Sequence, residues 1–144
     1  MHLRSTAFAH EGVIPRRHSC DGEDVSPPLT IEGLPAGTVT LALVMDDPDA
    51  PGRTWDHWVA YDFPPTSQVA EGVARLGTPG TNSWGRTGYG GPCCPRGTTH
   101  RYFFRVYALD TRLGLAPGAE KATLLAATSG HVLDEAMLMG RFSR

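Results

Sequence analysis

The chain has 144 residues, is 40% apolar, and carries a formal charge of −2 from 13 basic and 15 acidic side chains. That length fits one domain spanning 1–144, with interior enough for a real hydrophobic core. Without a basic stripe the chain lacks the footprint of a nucleic-acid surface, and its longest apolar run, Leu41 to Met45, is far too short to span a bilayer.

The N-terminal string MHLRSTAFAHEG has no secretory apolar stretch, so cytoplasmic residence is expected. Three segments then read as central strands. Thr38 to Met45 (TVTLALVM) is β-branched and apolar and stops at Asp46-Asp47-Pro48, because proline cannot continue a ladder. His57 to Phe63 (HWVAYDF) ends at Pro64-Pro65. Arg101 to Leu109 (RYFFRVYAL) puts Tyr102, Phe104, Val106 and Ala108 on one face and Arg101, Phe103, Arg105 and Tyr107 on the other, with the arginines reaching its edge. With 17 glycines and 12 prolines punctuating the chain, the class is mainly β.

Helix signals come late. Ala119 to Thr128 has good helix formers, with Leu124 and Leu125 able to face inward. His131 to Gly140 repeats the pattern, with Val132, Leu133, Ala136 and Met137 as one stripe and the methionines as core filler. His2, His10 and His18 are expected on the surface and His131 at the last helix.

Between the strands lie two polar stretches, 46 to 57 and 82 to 102, expected to converge on a small ligand pocket. The first carries Asp46, Asp47, Asp49 and Asp56, which would ordinarily be a solvated loop, but its prolines restrict the backbone between two core strands. The second is rich in glycine, which lets backbone N–H groups approach an anion. It is no Walker loop, because Lys and Ser/Thr are missing where one needs them. His57 and His100 each stand at a strand end. With Asp47 and Tyr102 nearby they make an anion site in which histidine N–H and tyrosine O–H donate, and the carboxylate favours a ligand that donates as well as accepts. Three cysteines, Cys20, Cys93 and Cys94, two of them adjacent, make a poor disulfide framework and lack zinc-site spacing.

The strings CDGEDVSPPL at 20 to 29, DDPDAPG at 46 to 52, HWVAYDFP at 57 to 64, GYGGPCCPRGTTHRYFFRVYALD at 88 to 110 and GHVLDEAMLMGRFSR at 130 to 144 resemble the phosphatidylethanolamine-binding protein family, in its bacterial and archaeal Raf-kinase-inhibitor-like branch of the YbhB/YbcL type. The resemblance implies a Greek-key β-sandwich with short peripheral and C-terminal helices. It also implies a surface pocket for phosphate or a phospholipid head group, and a homodimer. Carried over by motif, the ligand-binding residues are Asp47, Asp49, His57, Gly91, Pro92, Cys94, Pro95, His100 and Tyr102. The family usually reads GPCPP, so Cys94 here replaces a proline, loosens one torsion and brings a thiol to the pocket. Cys20 can pair with Cys93 or with Cys94 where the fold brings them together.

Three functions follow in order. The first is non-enzymatic binding of a small anion, phosphorylated ligand or phospholipid head group. The second is a protein-interaction role as a kinase regulator or serine-protease inhibitor. The third is a weak hydrolase, using either a Cys94–His100 thiol or a metal held by Asp47 and two histidines. No cofactor and no metal is expected.

Overall fold

The computed structural model describes all 144 residues, Met1–Arg144. In chain order its strands are β1 (His2–Arg4), β2 (Leu29–Glu32), β3 (Thr40–Asp47), β4 (Trp55–Phe63), β5 (Gln68–Val69), β6 (Thr78–Pro79), β7 (Thr99–Leu109) and β8 (Val132–Ser143), with one helix, α1 (Lys121–Thr128), and a 3₁₀ turn at Arg16–His18. They form two antiparallel sheets, one ordered β1-β2-β5 and the other β6-β4-β3-β7-β8.

β3 is central to the larger sheet and buried throughout, which explains its unbroken apolar run: it has no solvent face on which to alternate. Leu41, Leu43 and Met45 join Tyr102, Phe104, Val106 and Ala108 of β7 and Leu3, Leu29, Ile31 and Val69 of the small sheet in the main core. Ala42 and Val44 face the other way, into a second core with Val59, Tyr61, Tyr107, Leu109 and Leu124, the last contributed by α1. Each such fully buried large side chain contributes roughly 1.5–3 kcal/mol over leaving it exposed. As expected for β7, the guanidinium groups of Arg101 and Arg105 sit at its margin, 5.6 and 5.0 Å from the Phe103 ring centre.

The C-terminal segment departs from the helical reading. Val132–Ser143 is a strand paired with β7 from Leu109↔Val132 to Thr99↔Ser143, and this long ladder overrides local helix preference. Of the expected inward stripe, Val132, Leu133 and Met137 are instead 42–43% exposed and only Ala136 packs against the main core, while Leu138, Met139 and Phe142 are buried. Gly140 allows close approach within this strand: a Cβ there would stand 2.5 Å from Ile14 Cγ1 and 2.7 Å from Phe8 Cε2. In α1 only Leu124 of the expected leucine pair is buried, Leu125 remaining 37% exposed. His18 is buried rather than on the surface, its Nδ1 bonded to the Val25 carbonyl at 2.9 Å. His131, in the turn before β8, pairs with Asp110 at 2.8 Å. No helix is long and apolar enough to cross a membrane.

Candidate functional site

A cavity of about 370 Å³ opens at one end of the large sheet, and all eleven lining residues come from the two polar stretches: Asp47, Ala50, Pro51, Trp55 and His57 from the first, and Trp84, Cys93, Cys94, Pro95, His100 and Tyr102 from the second. β3, β4 and β7 are neighbours in the sheet, so their ends bring the two stretches together.

His57 sits on a β-bulge. Met45 pairs with Trp58 and Asp46 with Asp56, which leaves His57 without a cross-strand partner. A bulge re-aims the side chain it carries. Here the ring is fixed by a reciprocal contact: its Nδ1–H donates to the Gly90 carbonyl at 2.7 Å, and the Gly90 N–H donates to the His57 carbonyl at 3.0 Å. Trp84 and Tyr102 meet the imidazole edge-on at 5.0 and 5.2 Å. Burial pushes the His57 pKa below the ordinary histidine value, opposed by the Gly90 carbonyl and the charge of Asp47. At neutral pH the ring is therefore neutral, with Nε2 as an acceptor.

His100 is held differently. Its Nδ1–H donates to Asp47 Oδ2 at 2.6 Å within a buried pair. Asp47 Oδ1 accepts the Asp49 N–H at 2.8 Å, so both carboxylate oxygens are engaged by protein. Asp47 thus orients His100 and fixes its tautomer. Neither imidazole Nε2 has a hydrogen-bond partner in the protein. The Tyr102 hydroxyl, also on the cavity wall, is buried without a partner. Burial, with Cys94 and Asp47 beside it, raises its pKa far above the ordinary phenol value, so it keeps its proton and remains a donor.

Each of the four carboxylates of the first stretch is engaged by a protein partner, which is why this is no solvated loop. Asp46 and Asp56 lie opposite each other in the ladder, a destabilising like-charge pair. Lys121, the only lysine, bridges them at 3.2 and 2.7 Å from the outer face, and Arg105 adds a contact to Asp46 at 3.3 Å. Asp49 is gripped by Arg101 through Nε, Nη2 and the backbone N–H at 2.8–2.9 Å, which lowers its pKa to about 2 against the cost of burial.

Of the expected binding residues, Asp47, His57, Cys94, Pro95, His100 and Tyr102 line the cavity, whereas Asp49, Gly91 and Pro92 do not. Asp49 ties the first stretch to β7. Gly91 and Pro92 lie behind the wall, where the Gly91 N–H donates to Asp24 Oδ1 at 2.8 Å and the Pro92 carbonyl accepts the Cys20 N–H at 3.1 Å. Cys20 is disulfide-bonded to Cys93, overturning the expectation of a poor framework and resolving the choice of partner; Cys94 is the free thiol. Buried Cys94 points at the carbonyls of Thr98 and Phe142, each 3.6 Å away, and so anchors the turn that its replacement of proline was expected to loosen. This geometry gives a Cys94–His100 nucleophile no support, and no group of three His, Cys, Asp or Glu is arranged to hold a metal ion. A disulfide persists in oxidising compartments and is uncommon in the cytosol outside hyperthermophiles, which stands in tension with the cytoplasmic expectation.

Sequence reasoning missed the aromatic rim. Trp55 and Trp84 meet edge-on at 5.7 Å, and Arg53 and Arg86 lie over them at 5.4 and 6.0 Å. The place of Trp55 two residues before His57 was the available signal; Trp84 carried none beyond its membership of the Gly-rich stretch.

The fold agrees with comparisons to known proteins. The profile of the phosphatidylethanolamine-binding protein family matches residues 4–143, and the chain belongs to that family. It is 50% identical to a UPF0098 protein of Methanothermobacter thermautotrophicus over all of this chain and 99% of the relative. Among solved structures it resembles a phosphatidylethanolamine-binding protein homologue of Chlamydia trachomatis, with a TM-score of 0.95 and 38% identity over 99% of this chain and 97% of that one. YbcL of E. coli, a member of the same family, superposes with a TM-score of 0.92 at 26% identity, over 99% and 98% of the two chains.

Proposed function

We propose that the cavity binds, without catalysis, a small phosphorylated ligand that both donates and accepts hydrogen bonds: a hydrogen phosphate, a phosphomonoester or the phosphate of a lipid head group. The observation that carries this reading is the set of three unpartnered polar atoms on one wall, Nε2 of His57, Nε2 of His100 and the Tyr102 hydroxyl. With Nδ1–H committed, each imidazole offers Nε2 as an acceptor when neutral and as a donor when charged, while Tyr102 always donates. A protonated phosphate satisfies a neutral imidazole, and an unprotonated one needs a charged imidazole. Either way the complex retains a proton that free ligand and protein lose as pH rises. Arg53 and Arg86 on the outer rim supply the attraction that brings an anion in.

Calorimetric titration with inorganic phosphate and with O-phosphorylethanolamine tests this. Affinity falls about tenfold from about pH 5.5 to about pH 7.5, since His57 titrates below the ordinary value of 6.5. His57→Ala and His100→Ala each cost about tenfold or more, the worth of a hydrogen bond to a charged group. Affinity that is flat with pH and unchanged in both variants overturns the reading.

A second reading, self-association, is favoured by β8. It is an edge strand whose outer edge is taken by residues 11–14 only at Met139 and Arg141, leaving the half with exposed Val132, Leu133 and Met137 as a template for pairing with another copy. Sedimentation is expected to show a dimer that Leu133→Lys converts to monomer; a monomeric wild-type protein at high concentration removes this reading. No particular side chain here favours a kinase or serine protease as partner.

A further inference from the structure

The three cysteines differ sharply in surroundings. Cys93 is exposed and on the cavity wall, its partner Cys20 is half-buried, and Cys94 is buried. Arg144 Nη1 lies 3.6 Å from Cys93 Sγ and donates to the Cys94 carbonyl at 3.2 Å, while Nε and Nη2 hold the two oxygens of Asp21 at 3.1 and 3.0 Å. A guanidinium beside a sulfur stabilises its thiolate, and in thiol–disulfide exchange the sulfur that better carries negative charge is the better leaving group. The other charges near it are Asp21, with Arg16 and Arg96 close by, and Asp47 and the two histidines lining the cavity. On the same wall the fully buried Tyr102 hydroxyl, without a protein partner, is available to a bound molecule.

We infer that the Cys20–Cys93 bond masks a modification site: when a dithiol reductant opens it, Cys93 is released on the cavity wall as a thiolate beside Arg144 and captures small soft electrophiles. One thiolate of the reductant attacks Cys20 Sγ, and the electron pair of the broken S–S bond goes to Cys93. The second thiolate of the reductant then closes on the first, freeing Cys20 as a thiol after it takes up a proton and leaving the reductant as a cyclic disulfide. Two electrons pass to the protein. Cys93 next attacks an electrophilic carbon or a small disulfide, forming a thioether or mixed disulfide and expelling halide or thiolate. This holds whether or not the oxidised cavity takes a phosphate.

The test is site-resolved alkylation of the whole chain by iodoacetamide, after treatment with dithiothreitol and its removal, read by peptide mass spectrometry. Near pH 6.5, Cys93 is expected to react about tenfold faster than Cys20 or Cys94. Arg144→Gln slows Cys93 about threefold or more and moves the midpoint of its rate–pH profile upward, whereas Asp21→Asn, which removes the opposing charge, speeds it. General loosening would instead raise the rate at buried Cys94 in both variants. Equal rates at the three cysteines, a Cys94 rate matching that of Cys93, or a Cys93 midpoint unmoved by Arg144→Gln overturns the inference.

Discussion

Reduction of the Cys20–Cys93 bond lowers the melting temperature by about 10 °C. The bond joins residues 73 apart in sequence. Opening a loop of that size returns conformational freedom to the unfolded chain worth about 4 kcal/mol, and for a chain near this length each kcal/mol moves the midpoint by roughly 2–4 °C. The native structure survives, because non-covalent ties join the same two segments: Cys20 N–H to Pro92, Gly91 N–H to Asp24, the Tyr89 hydroxyl to the His18 carbonyl, and Arg144 between Asp21 and Cys94. Scanning calorimetry with and without reductant checks this. Cys93→Ser reproduces the drop without reductant, and a midpoint indifferent to reduction in the wild type contradicts the account.

Gly91→Ala is expected to cost about 2–4 kcal/mol and to weaken phosphate binding at the same time. Its Cβ would fall well inside contact distance of the His18 carbonyl oxygen and of Asp24 Oδ1, the very group that accepts the Gly91 N–H. Asp24 has little freedom to yield, since it already holds a left-handed backbone with φ 58°. The strain passes along the chain into Cys93, Cys94 and Pro95, which form the cavity wall. Gly97→Ala is the control. With φ +85° and open space around its Cβ position, it costs about 1 kcal/mol of backbone strain and leaves the wall in place. Urea unfolding and phosphate titration of both variants separate the cases; equal losses of binding would remove Gly91 from any role behind the site.

The central strands were legible because burial on both faces writes itself as unbroken apolar sequence at 41–45 and as alternation at 101–109. Convergence of the two polar stretches was legible from their place at strand ends. The last strand was not. Val132 to Met137 has helical spacing, and only the length of β7 beside it, a partner far away in sequence, decides otherwise. His18 was hidden for a similar reason: its ring is held by the Val25 carbonyl and its own carbonyl by the Tyr89 hydroxyl, and nothing in PRRHSC announces either partner. Asp49 and Asp47 look alike in DDPDAPG. Their separate tasks depend on Arg101 and His100, adjacent residues on opposite faces of one strand, each claiming a different carboxylate.

The bulge at His57 carries a consequence for how this strand tolerates change in length. Trp58 faces the main core and Asp56 faces Lys121, although two residues apart in a regular strand would share a face. The extra residue switches the phase of the side-chain code between them. Deletion of Trp55 with loss of the bulge would set His57 opposite Asp46, on the Lys121 face, and Asp56 opposite Asp47, carrying the imidazole away from the cavity. Insertions and deletions here are therefore costlier than most substitutions, and the length of this strand is itself part of what shapes the cavity.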